Sequence, residues 1–311
     1  MKAGAATILE RIRLPGITIL LISYCAIGWA QQNAQFTQYM FNGLVINPAY
    51  TGMDEALNLT FVNRSQWLGV DGAPVTQTLT AHTLFSKSKL GIGMLLVNDK
   101  IGVHKNQKVA GSAAYHLTVS RKGTLSFGMQ GGLNILKSNY GSLNSTIDPQ
   151  LANVSISQAY FNLGLGFYYR SPKFHAGVSL PDLIAQRFVL NDTASITWQK
   201  AQYFIFSKYI ITLNDFLQLE PSILVKYKPE LPLSFDLNAC LIIKQALTLG
   251  LSYRKSESID FLLKAQLTPQ LQLGYSYDFV TGEVSNLSRG SHELMVSYLF
   301  KYSHDNIASP R

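Results

Sequence analysis

The feature that most constrains this chain is a two-residue alternation of apolar and polar side chains, sustained over unusually long segments. In 233–244, Leu233, Phe235, Leu237, Ala239, Leu241 and Ile243 alternate with Ser234, Asp236, Asn238, Cys240, Ile242 and Lys244. In 216–227, Leu217, Leu219, Ile223, Val225 and Tyr227 alternate with Gln218, Glu220 and Ser222. Successive side chains of a strand point to opposite faces, so each segment carries one apolar face and one face of small, polar or charged residues. A helix needs a 3.6-residue period, which these segments lack.

Fourteen such segments can be counted: 57–69, 75–86, 89–98, 107–119, 124–136, 158–170, 173–180, 201–211, 216–227, 233–244, 246–254, 258–267, 271–280 and 291–301. Every second connection between them is short, whereas the others include long loops near 137–157, 181–200 and 281–290. Short turns on one side and longer loops on the other are the habit of a transmembrane β-barrel, whose short turns face the periplasm. A soluble β-sandwich also alternates, but its strands run to about six residues. Here Tyr169, Tyr227, Tyr253 and Phe279 stand near segment ends on the apolar face, as interfacial girdles do. The predicted fold is therefore all-β, an up-and-down antiparallel barrel of about fourteen strands over 57–302, with a tail at 303–311.

Composition agrees. The chain is 14% charged and 47% hydrophobic, with 16 Tyr and 16 Phe, whereas soluble domains carry about a quarter charged residues. Residues 1–30 read as a secretory signal: Lys2, Arg11 and Arg13 precede an apolar run from Ile17 to Ile27, and Gly28 and Ala30 precede Gln31. Ile22-Ser23-Tyr24-Cys25 is a poor lipoprotein signal because a bulky Tyr precedes the Cys. After residue 30 no run of about eighteen apolar residues exists, so the chain lacks a spanning helix. These features predict a protein of the bacterial outer membrane, in contact with its lipid.

The chemistry of catalysis has no recognisable signature here. GxSxG is missing, Gly91-Ile92-Gly93 lacks the third glycine of a dinucleotide loop, and the six histidines show no HExxH spacing. Beyond the signal only Cys240 remains, which excludes an intramolecular disulfide and a cysteine-based metal site. The net charge of +8 is not gathered into a basic cluster with interleaved aromatics, so no nucleic-acid partner is indicated. No enzyme activity, metal or cofactor is expected. In the alternating register Arg64, Arg170, Glu220, Asp236, Arg254 and Asp278 point inward, where they can form a stiffening polar network or line a path for solutes. The lipid face would penalise them by a few kcal/mol.

Segment 31–56 does not alternate. Phe36, Tyr39, Met40, Phe41 and Leu44 are spaced as in a short amphipathic helical turn, and Pro48 turns Asn47 away from helix. The segment is expected on the periplasmic side or tucked into the barrel mouth like a plug. Two readings stand for Asn47-Pro48-Ala49-Tyr50: a tight turn, favoured by its Asn and Pro, or a docking element.

Gln35-Phe36-Thr37-Gln38-Tyr39-Met40-Phe41-Asn42 and Ile46-Asn47-Pro48-Ala49-Tyr50-Thr51-Gly52 resemble the hallmark of the PorP/SprF family of type IX secretion outer-membrane proteins from Bacteroidetes. Thr51 stands where many members have Ala, and Gly43 where many have Pro. The likeness continues through Arg64-Ser65-Gln66-Trp67, Gly72-Ala73-Pro74, Gly91-Ile92-Gly93, Gly250-Leu251-Ser252-Tyr253-Arg254, Tyr275-Ser276-Tyr277-Asp278 and Ser291-His292-Glu293-Leu294, nearly the whole chain after the signal. The resemblance implies a non-enzymatic secretion component. It further implies partners among type IX or peptidoglycan-associated periplasmic proteins and a secreted adhesin-like substrate, in some members one of gliding motility. The motif positions Phe36, Gln38, Tyr39, Phe41, Asn42, Asn47, Pro48, Ala49, Tyr50 and Gly52 are the candidates for partner docking. A passive porin or small-solute channel is the alternative.

Overall fold

The computed structural model describes residues 34–54, 56–140, 155–184, 186–189, 195–199, 201–229 and 231–300. The expected signal and the 303–311 tail lie outside the described residues. The strands are β1 (Leu57–Ser65), β2 (Val75–Phe85), β3 (Leu90–Ile101), β4 (His104–Ser120), β5 (Gly123–Asn139), β6 (Ser155–Arg170) and β7 (Phe174–Leu180). Then come β8 (Gln186–Val189), β9 (Ser195–Gln199), β10 (Tyr203–Tyr209), β11 (Ile211–Asn214), β12 (Leu217–Tyr227) and β13 (Ser234–Ile243). The last are β14 (Leu247–Arg254), β15 (Ser258–Gln266), β16 (Leu271–Val280) and β17 (Ser291–Phe300).

Each barrel strand pairs antiparallel with its sequence neighbours, β7 and β12 flank β10, and β17 returns to pair with β1 from Leu57↔Phe300 to Ser65↔His292. The sheet is thus closed. Counting β10 and β11 as one interrupted stave, fourteen staves make the barrel, and β8 and β9 form a separate two-stranded ribbon within one loop. Closure gives each stave a partner on both sides, which a sheet in hydrocarbon requires.

The interruption in the eighth stave has a local cause. Lys208 pairs with Ser222 and Ile211 pairs with Leu219, so the ladder lapses where Tyr209 would face Pro221. Proline has no N–H to give a neighbouring strand. Ile210 turns its N–H instead to the Lys173 carbonyl at 2.7 Å.

One end of the barrel carries tight turns. At Lys244-Gln245 both central residues have positive φ, 48° and 54°, as the two-residue hairpin turn with the twist of a sheet demands. Long connections lie at the other end, including 66–74, 181–202 and 281–290. The connection between β3 and β4 is an exception there, because both strands run past their expected ends to meet at Gly102-Val103.

The alternation sorts the side chains as the sequence predicts. On β14 and β15, Leu251 is 61% exposed and Ile259 47%, while Ser252 and Asp260 between their strands' outward residues are buried. The outward face is apolar and aromatic, with Phe127, Phe161, Phe167 and Leu294 among it. It meets lipid, and the chain is a protein of the outer membrane.

Candidate functional site

The lumen holds the chain's own residues 34–54. Contacts from this segment reach inward side chains or carbonyls on β2, β4, β6, β7, β13, β16 and β17, which lie all round the barrel. Rather than the amphipathic helical turn predicted over 36–44, the segment folds as successive tight turns, with 3-10 turns at Gly43–Val45 and Pro48–Tyr50. Asn47 starts the second turn: its Oδ1 accepts from the Ala49 N–H at 2.9 Å, and its Nδ2 donates to the Phe167 carbonyl on β6 at 2.9 Å. Both faces of one amide are used, which explains Asn before Pro at this position.

Glycines in the wall make this fit possible. A Cβ at Gly128 would collide with the backbone of Pro48 and Ala49, one at Gly166 with Asn47 Oδ1, one at Gly274 with Gln38 Oε1, and one at Gly91 with the Thr51 carbonyl. The segment's own Gly52 needs its left-handed φ of 84° and donates its N–H to His82 Nδ1 at 3.1 Å. His116 donates from Nε2 to the Thr51 carbonyl at 2.8 Å, and its Nδ1 therefore accepts from Ser126 Oγ at 2.7 Å. Strand glycines that would weaken an ordinary sheet are here the places where a second backbone lies against it.

Every predicted motif residue has a place in this packing. Phe36 offers its carbonyl to Arg254 Nη2 at 3.2 Å, Tyr39 Oη accepts from Asn238 Nδ2 at 2.7 Å, and Asn42 Oδ1 accepts from Thr80 Oγ1 at 3.1 Å. Ala49 is wholly buried. The Tyr50 ring packs edge-on to Tyr168 and His82 and covers Gly43. Phe41 lies beneath the Lys264 ammonium, 4.5 Å from ring centre. With Val45, Ile46, Met53, Leu95, Ala110, Phe206 and Leu224, the segment builds an apolar core inside the barrel.

The six inward charges divide between the two ends. Arg64, Asp278, Arg254 and Asp236 gather at the long-loop end: Arg64 Nη2 meets Asp278 Oδ2 at 2.7 Å, and Arg254 Nε meets Asp236 Oδ1 at 3.5 Å. Alternation also placed Glu293, Asp260 and Lys226 on the inward face, though they were not among the predicted charges, and the structure adds them to this cluster. Glu293 Oε2 and Oε1 accept the backbone N–H groups of Thr37 and Gln38 at 2.9 and 2.8 Å, and Arg64 Nη1 bridges Glu293 and Thr37. Charged partners so placed hold the leading turn of the segment from two sides. Because Gln35 to Gln38 contact this end while Asp54 hydrogen-bonds Asn58 at the other, the segment runs through the lumen from the long-loop end to the short-turn end.

Arg170 and Glu220 sit at that second end. Arg170 Nη1 donates to the Met53 carbonyl at 2.6 Å, and Glu220 pairs with Lys208 at 3.1 Å. They line a cavity of about 230 Å³ whose floor is formed by Met40, Phe41, Tyr50 and Met53 and whose rim includes turn residues Pro172, Gln245 and Pro269. No group of three or more His, Cys, Asp or Glu suited to a metal ion occurs among the described residues.

The family model for the type IX secretion system membrane protein PorP/SprF matches residues 29–298. The chain belongs to this family. The match takes in both the lumen segment and the barrel that holds it, so the two are parts of one family architecture. Among curated proteins, none matches this chain. Some solved structures share part of this course. The Acinetobacter baumannii outer membrane protein Omp33 is 8% identical, with a TM-score of 0.48 over 80% of this chain and 100% of that one. A mutant of the TodX monoaromatic hydrocarbon channel is 11% identical, with a TM-score of 0.49 over 82% and 93%. A Pseudomonas aeruginosa FadL homologue is 11% identical, with a TM-score of 0.46 over 82% and 93%.

Proposed function

We propose that this PorP/SprF protein is a non-enzymatic component of type IX secretion that supports export or surface anchoring of a cognate secreted protein, an adhesin among the candidates. The observation that carries the reading is the lumen segment. The residues that bear the family motif are also the residues that fill the barrel, so the motif serves an occluded barrel and not a solute path. Its periplasmic partners are other secretion or peptidoglycan-associated proteins, met at the short-turn end. The rival reading, a passive porin, draws on the polar inward face, but it must account for an apolar core built in the middle of the pore.

Deleting the gene and comparing the surface and secreted proteomes with the parent tests this. Loss of one or more type IX cargo proteins from the surface is expected, restored by the gene in trans. Proteomes unchanged in every such cargo would refute the secretion role.

A further inference from the structure

Among the described residues that line the short-turn vestibule, cations outnumber carboxylates. Three cations line it, Arg170, Lys208 and Lys264, against two carboxylates, Asp54 and Glu220. Arg170 is taken by the Met53 carbonyl and Lys208 by Glu220. Asp54 is already engaged by Tyr50, Asn58 and His82. Lys264 has neither an ion pair nor a hydrogen bond among the described residues; its ammonium rests on the Phe41 ring. Neighbours opposite Lys264 on the adjoining strands are Thr248 and Gly274, small residues that leave its head group room.

An aromatic face steadies an ammonium and orients it but supplies no counter-charge. An unpaired charge withdrawn from water costs free energy that an anion offsets. A smaller recess of about 40 Å³ shares Met40, Tyr50, Tyr168, His175 and Lys208 with the vestibule, and its further walls include Ile46, Phe204 and Phe206 together with polar Asn47 and Ser179. The recess is thus part apolar and part polar, and an occupant with a small group beside its charge has room to extend into it.

We propose that the vestibule binds a compact oxyanion presented from the periplasmic side, a carboxylate or a phosphate, with Lys264 as its ion partner and the lumen segment, through Phe41, as its floor. The site would let the barrel recognise the anionic end of a molecule without opening the lumen. This goes beyond the secretion reading and does not depend on it.

The test is calorimetric titration of the full-length protein in detergent with inorganic phosphate, with acetyl-alanyl-phenylalanine, and with the same peptide as its C-terminal amide. Saturable binding of phosphate, or of the free acid but not the amide, is expected, and which of the two binds identifies the source. Lys264→Gln should weaken binding by about tenfold or more, as loss of a charge-assisted bond does, while Lys264→Arg retains it. In the wild type, acetylation of Lys264 by a water-soluble reagent, followed by mass spectrometry, should slow in the presence of the bound probe. Absence of binding by the wild type to all three probes overturns the proposal, as does equal binding by a heat-modifiable Lys264→Gln barrel. A protein that binds the anion in a strain whose exported proteome does not need it would retain this site and lose the secretion role.

Discussion

Glu293 on the last strand holds Gln38 of the lumen segment at two points: its Oε1 accepts the Gln38 N–H at 2.8 Å, and its carbonyl accepts from Gln38 Nε2 at 3.1 Å. The two residues are 255 positions apart, so the bond ties the beginning of the folded chain to its end. It forms within the cluster in which Arg64 and Arg254 meet Asp236, Asp260 and Asp278, and where β17 closes against β1.

Removing that anchor should be costly. Glu293→Ala leaves the Thr37 and Gln38 N–H groups without their buried acceptor and removes one of the two carboxylates beside Arg64, which keeps Asp278 at 2.7 Å; breaking such a cluster costs about 3–5 kcal/mol. Urea unfolding in detergent, followed by tryptophan fluorescence, is expected to show this loss. Limited proteolysis should also cut within 34–56 in the variant and spare it in the wild type.

The wall glycines give a steric test. Gly128→Val places side-chain atoms where Pro48 and Ala49 lie, whereas a Cβ at Gly111 meets nothing within 4 Å. Gly128→Val is expected to expose the lumen segment to protease while the barrel stays heat-modifiable, and Gly111→Ala to change neither property. Replacing Asn47 to Tyr50 should act like Gly128→Val if the motif is there to seat the segment.

A charge on the lipid face reads the register. Leu251 points outward and is 61% exposed from the protein, so Leu251→Arg should destabilise the barrel by about 2–4 kcal/mol at mid-membrane depth. Reduced heat-modifiable protein in outer-membrane fractions is the readout. Ser252→Thr, on the lumen side of the same strand, should leave the amount unchanged.

Orientation can be read with single cysteines in a Cys240→Ser background. Leu287 is 71% exposed in the 281–290 connection, at the end assigned to the cell exterior. An impermeant maleimide should label Leu287→Cys in intact cells, and should label Lys87→Cys, in the turn between β2 and β3, only after the outer membrane is opened.

Much of this architecture is legible in the sequence because a two-residue period records which face each side chain takes. The alternation alone places Asp236 and Asp278 inside and Tyr227 and Tyr253 outside. The same rule would have found Glu293, between Ser291 and Met295, and Asp260, between Ser258 and Leu262. The break in the eighth stave was signalled by Pro221, but only pairing shows that the missing donor falls opposite Tyr209. The path of residues 34–54 was not legible. Many of its contacts join residues more than a hundred positions apart, as Asn47 does with Phe167, and a run of tight turns has no period to read. The glycines at 128, 166 and 274 mark its course, but a strand glycine alone does not say what lies against it.

The central claim is that the family's N-terminal motif closes the barrel it belongs to. Planar-bilayer recording of the purified full-length protein tests it most directly. The wild type should show no steady conductance, and a variant lacking residues 36–52 but still heat-modifiable should conduct in stable steps. A wild-type protein that conducts as steadily as the deletion variant would contradict the claim.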